Sequence, residues 1–114
     1  MAALRVHAGD AEVARVGCWA LHNLAAAAEN RVPLYRDGAG AAVVAALRAH
    51  AGNVEVARAG SAALRNLAVA AENCAPLARD GAGDAVRAAM AAHRGDAEVQ
   101  NHARAALSSL TTAP

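Results

Sequence analysis

Apolar and polar positions along this chain recur with two periods, one local and one long. The local period is helical. Between residues 11 and 27, Val13, Gly17, Ala20, Leu21 and Leu24 follow one another in steps of four, three, one and three, which gathers them on one face of a helix. The opposite face carries Glu12, Arg15, Trp19, His22 and Asn23. A second, short helix is predicted over about 30–37, and a third over about 40–49, where Val43 and Leu47 lie four apart and are mirrored downstream by Val86 and Met90. Asp10, Asn53 and Asp96 suit N-caps, since a short side-chain oxygen can accept from the free N–H groups of a first turn. Gly9, Gly52 and Gly95 precede them and fit a left-handed helix end. Pro33 and Pro76 are expected in the first turn of the short helices, where a missing N–H costs nothing, and Gly38 and Gly81 close those helices.

The long period is 43 residues. "HAGDAEVARVG" at 7–17 returns as "HAGNVEVARAG" at 50–60, "AEN" at 28–30 returns at 71–73, and "RDGAG" at 36–40 returns at 79–83. Leu21, Asn23 and Leu24 map onto Leu64, Asn66 and Leu67. A third, decayed copy keeps His93, Asp96, Glu98, Val99, Leu107 and Leu110. Helical hairpins of this size cannot bury an apolar face alone, so repeated units are expected to stack along one continuous core. Leu4 matches Leu47, so the chain is read as entering inside a unit, at the end of a third helix.

Composition narrows the class. Hydrophobic residues make up 56% of the 114, yet aromatics only 2%, and about a third of the chain is Ala. Ala is the best helix former, and a sandwich or barrel would need β-branched and aromatic residues instead. The formal charge of +1 gives no general footprint for nucleic acid. There is no 18-residue apolar run free of charge and no signal-peptide pattern, so an intracellular, cytoplasmic or nuclear, setting is expected. Cys18 and Cys74 have no CxxC spacing and read as free thiols.

The pattern "WALHNLA … ENRVPLYRDGAGAAVVAALRAH" resembles the armadillo repeat family, whose units run about 40–47 residues with two or three helices. The resemblance covers nearly the whole chain and implies an all-α fold, a right-handed α-solenoid of stacked three-helix repeats. Residues 1–114 would form one domain, with a partial repeat at 1–27 and repeats at 28–70 and 71–113. It further implies that the long helices line a concave groove, that groove Asn side chains grip the backbone of an extended peptide, and that Trp residues one turn earlier form slots for its side chains. Trp19 and Asn23 match those positions; Asn66 matches in the next unit, where Ala62 replaces the Trp; Ala105 and Ser109 replace both in the last. The Trp–Asn array of nuclear-signal carriers is therefore absent. Glu12 with Arg15, and Glu55 with Arg58, stand three apart and are expected to form weak surface ion pairs.

Other chemistries find little support. His7, His50 and His93 are one repeat apart, roughly 10 Å by helix-packing distance, whereas zinc needs ligand atoms within about 2 Å of one ion. His22 and His102 share no register and no ligand cluster. Ser108 and Ser109 lack a nucleophile-elbow context, and "RDGAG" lacks the Lys-Ser/Thr ending of a phosphate loop. No enzyme activity, cofactor, metal or membrane partner is expected, and nucleic acid is disfavoured because Glu12 and Glu55 sit beside the basic residues of the long helices.

The expected function is a protein-interaction module that binds an extended peptide through Glu12, Arg15, Trp19, His22, Asn23, Glu55, Arg58, Arg65 and Asn66. The alternative is a structural segment of a longer solenoid, or a stack that self-associates end to end through an uncapped N-terminus. Arg104 and His102, standing where earlier units have Cys18 or Ser61 and Val16 or Ala59, suggest a polar terminal cap at the other end.

Overall fold

A computed structural model describes residues 10–112 and contains seven helices there: α1 (Ala11–Ala25), α2 (Ala28–Arg36), α3 (Ala39–Ala49), α4 (Val54–Leu67), α5 (Ala71–Arg79), α6 (Ala82–Ala92) and α7 (Ala97–Thr112). The fold is all-α among these residues. His7, Gly9 and the Leu4 match lie outside them.

The N-terminal caps form as the short polar residues dictate. Asp10 Oδ1 accepts from the N–H groups of Glu12 (2.9 Å) and Val13 (3.2 Å). Asn53 Oδ1 does the same for Glu55 (3.0 Å) and Val56 (3.1 Å), and Asp96 Oδ1 accepts from Val99 (3.0 Å). Gly38 and Gly81 adopt φ of 97° and 89°, a left-handed turn that only glycine enters without strain, and they join each short helix to the next.

The other end of each long helix is held by a device that the repeated "AEN" carries. Asn30 Nδ2 donates to the Leu24 carbonyl (2.8 Å), and its equivalent Asn73 donates to the Leu67 carbonyl (2.9 Å) and to Arg31 O (3.0 Å). Arg31 Nε reaches Ala25 O (2.8 Å), as the Cys74 thiol reaches Ala68 O (3.2 Å). Carbonyls with no partner inside the helix are thereby satisfied. With them captured, α1 ends at Ala25 rather than 27, and α2 starts at Ala28, two residues before the expected onset. Pro33 and Pro76 consequently sit at the sixth position of α2 and α5, not in the first turn, so each removes one intrahelical hydrogen bond.

The long helices α1, α4 and α7 pack side by side, with α4 in the middle, and the short helices lie behind them. Small residues let them approach. A Cβ added to Gly60 would lie 2.6 Å from Leu47 Cδ2, so glycine is what admits α3 against α4. The fully buried frame is Val43, Val56, Leu64, Leu67, Leu77 and Val86.

The expected core face is correct for α4 and only partly so for α1. Val56, Gly60, Ala63, Leu64 and Leu67 are all buried. Of their counterparts on α1, Leu21 is buried, Val13 and Gly17 are half-buried, and Ala20 and Leu24 are exposed. On α1 the buried set is Ala14, Cys18, Leu21 and Ala25. The cause is position: α4 has a long helix on both sides, and α1 has one on a single side among the described residues. Trp19 is 47% exposed, off the core as its helical angle requires, while Ala62 at the same register is completely enclosed. With a long helix on either side of α4, the Ala62 methyl group is closed over.

Candidate functional site

The polar faces of α1, α4 and α7 form a continuous row with two distinct parts. The first is a recess of about 180 Å³ lined by Arg15, Trp19, Glu55, Arg58, Ala59 and Glu98. Four of the nine expected site residues, Arg15, Trp19, Glu55 and Arg58, line it directly. Glu12 stands at its edge, bonded to Arg15, as its i,i+3 spacing predicts.

Glu55 and Arg58 do not form the expected i,i+3 pair. Glu55 is approached by Arg15 Nε (3.8 Å), and Arg58 bonds Asp96 through Nε (2.9 Å) and through Nη2, with Glu98 3.9 Å away. Each arginine thus reaches forward to the next long helix. The physical reason is the cap: Asp96 uses Oδ1 for the first turn of α7, and its free Oδ2 offers a fixed, half-buried carboxylate that beats an exposed Glu55 on the same helix. The Arg58 guanidinium, helped by the Val99 N–H, holds the Asp96 carboxyl down at about 2.

The second part lies toward the C-terminal ends of α1 and α4. Asn66 Nδ2 donates to the His22 carbonyl (2.9 Å) and meets His22 Nδ1 (3.0 Å). Arg65 Nη1 meets His102 Nδ1 (3.2 Å). The His22 and His102 rings stand 6.4 Å apart, and the Trp19 indole lies 4.7 Å from the His22 ring. Burial pushes His102 down, and Arg65 and His22 add to the shift.

Two expectations change here. Asn66 was expected to offer its amide to a peptide backbone, but both donor hydrogens turn to α1, which leaves the carbonyl oxygen as its free group. Asn23, by contrast, is exposed, and its side chain makes no hydrogen bond among the described residues, so the amide keeps both a donor and an acceptor free.

His102 is a member of the polar row that sequence reasoning leaves out. It was read as part of a wet outer cap, yet it turns toward α4; Arg104 is exposed as expected. Register partners lie 43 apart, whereas contacting residues on neighbouring long helices lie 38 apart for Arg58 and Asp96 and 37 apart for Arg65 and His102. Shifting the repeat alignment by more than one helical turn would have brought His102 into the row.

Other side chains of chemical interest serve the frame. His93 Nε2 lies 2.9 Å from the Ala51 carbonyl, tying successive turns. His50 and His93 stand at the C-caps of α3 and α6. The Tyr35 hydroxyl donates to Asp80 Oδ2 (2.6 Å), and burial with that carboxylate pushes it up to about 12. Cys18 and Cys74 are free and buried. Among the described residues no three His, Cys, Asp or Glu side chains converge as a metal site, and no helix is long and apolar enough to cross a membrane.

Compared with protein-family models, with curated proteins and with solved structures, the chain matches none.

Proposed function

We propose that the chain is a protein-interaction module of armadillo type, a right-handed α-solenoid with a 43-residue period, that binds an extended peptide across the row formed by α1, α4 and α7. The observation that carries this reading is the exposure of Trp19 on the wall of a recess that spans all three long helices. A half-exposed indole beside alternating Arg and Glu side chains offers an apolar wall together with hydrogen-bonding groups of both kinds, the combination an extended segment needs. Asn23, one turn beyond Trp19, supplies the free amide that can bond a peptide group bidentately. Arg15, Glu55 and Arg58 fix the floor, and Glu12 its edge. Asn66 acts chiefly by holding α1 to α4.

The test is a selection from a random peptide library against the folded chain, followed by affinity measurement with Trp19→Ala and Asn23→Ala. Losses of about tenfold or more for Trp19→Ala are expected, the order found when a central aromatic anchor is truncated. Selected peptides whose affinity is unchanged in the folded double variant would remove the groove reading.

A structural role as one segment of a longer stack is the second reading. It is favoured by Val16 and Leu24, each 50% exposed on α1, whose counterparts Ala59 and Leu67 on α4 are enclosed. Self-association through this face would show as a mass that rises with concentration in light scattering. A constant monomer mass would count against pairing of chain ends.

A further inference from the structure

The charges that line the recess are closed on one another; those further along the same helices are not. Arg65 is exposed and has no carboxylate partner among the described residues. Beside it stand two imidazoles, His102 on α7 and, across from His102, His22 on α1. The acid that acts on His102 from its own helix is Glu98, which also stands 3.9 Å from Arg58. His22 faces Trp19 on its own helix, Asn66 on α4 and His102 on α7.

The hydrogen bonds fix the tautomers. A guanidinium N–H and an amide N–H₂ can only donate, and the bond from Asn66 Nδ2 to the His22 carbonyl excludes the flipped amide. Both Nδ1 atoms are therefore acceptors, so in the neutral rings Nε2 carries the proton. The cluster holds an arginine fork and two ring N–H donors; the only acceptor bonded to Arg65 is a neutral imidazole, and no carboxylate answers its charge among the described residues. A guanidinium and a carboxylate match in a planar, bidentate geometry, and an anion also favours protonated His102, whose Nδ1 then gives up its bond from Arg65 and leaves both groups to the anion.

We infer that Arg65, His22 and His102 form a subsite for a carboxylate side chain of the bound segment, so that the groove selects an acidic peptide and holds it more tightly below neutral pH. This rests on the groove reading above. Linkage gives the sign: an anion bound beside His102 raises the affinity of that ring for a proton, and protonation raises the affinity for the anion by the same factor. In the free protein the burial that lowers His102 leaves it mostly neutral near pH 7, so acidic peptide binding takes up protons there.

The experiment runs the random peptide selection on the full chain at pH 6.0 and at pH 7.5, with Arg65→Gln and His102→Gln in parallel. Asp and Glu are expected to be enriched, with affinity about 3- to 10-fold higher at pH 6.0, a coupling of ordinary size. Arg65→Gln is expected to lower affinity by about tenfold, as loss of a charge-assisted pair does, and His102→Gln to flatten the pH dependence. Binders with no acidic bias, or with affinity indifferent to both pH and Arg65→Gln, overturn the subsite while leaving the groove reading intact. If selection yields no binder, the groove reading fails, and glutarate followed by NMR of the imidazole resonances decides the subsite by itself. A raised His102 pKa with glutarate supports it, and an unchanged value overturns it. A stronger response to inorganic phosphate than to glutarate overturns the carboxylate assignment.

Discussion

The two parts of the polar row use the same side-chain types to opposite ends. In the recess, Arg15 and Arg58 are each answered by carboxylates, Glu12 and Glu55 for one, Asp96 and Glu98 for the other. Toward the C-terminal ends of α1 and α4, Arg65 is answered only by an imidazole, and His22 only by an amide. Arginines that reach forward to a carboxylate tie one helix to the next and serve the fold. Arg65, without such a partner, is held by one neutral acceptor and its charge stays uncompensated among the described residues. One repeat therefore yields both a seam and a surface, and the difference lies in whether the next helix supplies an acid at the point of contact.

Both parts hang on the same amide-capped frame, and the largest expected effect breaks that frame beneath them. Asn73 is buried and satisfies two carbonyls, Leu67 O and Arg31 O. Asn73→Ala would strand the Leu67 carbonyl and remove the tie to Arg31 O, and is expected to cost about 2–3 kcal/mol in urea unfolding, the upper range for stranded buried polar groups. Asn30→Ala, which removes a single exposed bond, should cost clearly less.

The next effects separate the two parts. Asn66→Ala removes the amide tie between α4 and α1 and is expected to cost about 1–2 kcal/mol. Its neighbour Arg65→Gln should stay within about 0.5 kcal/mol, as surface changes do. An equal loss from both would erase the distinction between seam and surface.

The acid limb of stability sharpens the comparison further. Asp96 is held down at about 2 by Arg58, below its ordinary value of 3.8. Its contribution is thus complete above about pH 4 and is lost as pH falls through about 2. Arg58→Gln should bring the Asp96 titration back toward its ordinary value and flatten stability against pH in that window, while Arg65→Gln leaves the window unchanged. His102 acts in a different range. Its lowered pKa favours the neutral ring in the folded chain, so its contribution is present above the ordinary His value and is lost as pH falls through the lowered one. His102→Gln should remove that slope below the ordinary His value, and Trp19 emission reports the change because the only indole lies 4.7 Å from the His22 ring.

The smallest effect concerns a position outside both parts. Ser61 is buried with no hydrogen-bond partner for its hydroxyl among the described residues, at the register where α1 has Cys18. Ser61→Ala is expected to be neutral or to stabilise by about 1 kcal/mol, since it removes an unsatisfied polar group.

Much of the helical frame was legible in the sequence because it depends on local physics. Asp10, Asn53 and Asp96 announce helix starts, and Gly38 and Gly81 announce turns, through chemistry confined to a few neighbouring residues. The helix ends were less legible: Asn73 had no visible reason to recur, since its partners at Leu67 and Arg31 lie 6 and 42 residues away. Among candidate site residues, Trp19 fell on the right face by helical angle alone. Arg58 and His102 do not reveal their partners, because their contacts between α4 and α7 run 38 and 37 residues apart and not one 43-residue period. Leu24 falls on the expected core face by its helical step from Leu21, and is exposed because burial at that register needs a helix on the far side.

The most direct test of the central claim, that the long helices present the ligand surface, is amide and side-chain chemical-shift mapping with a peptide selected from a random library. Perturbations are expected at the Trp19 indole N–H, the Asn23 amide and the Arg15, Arg58 and Arg65 side chains, with α3 and α6 silent. Perturbations centred on α3 and α6, or a failure of any peptide to shift the Trp19 indole, would contradict it.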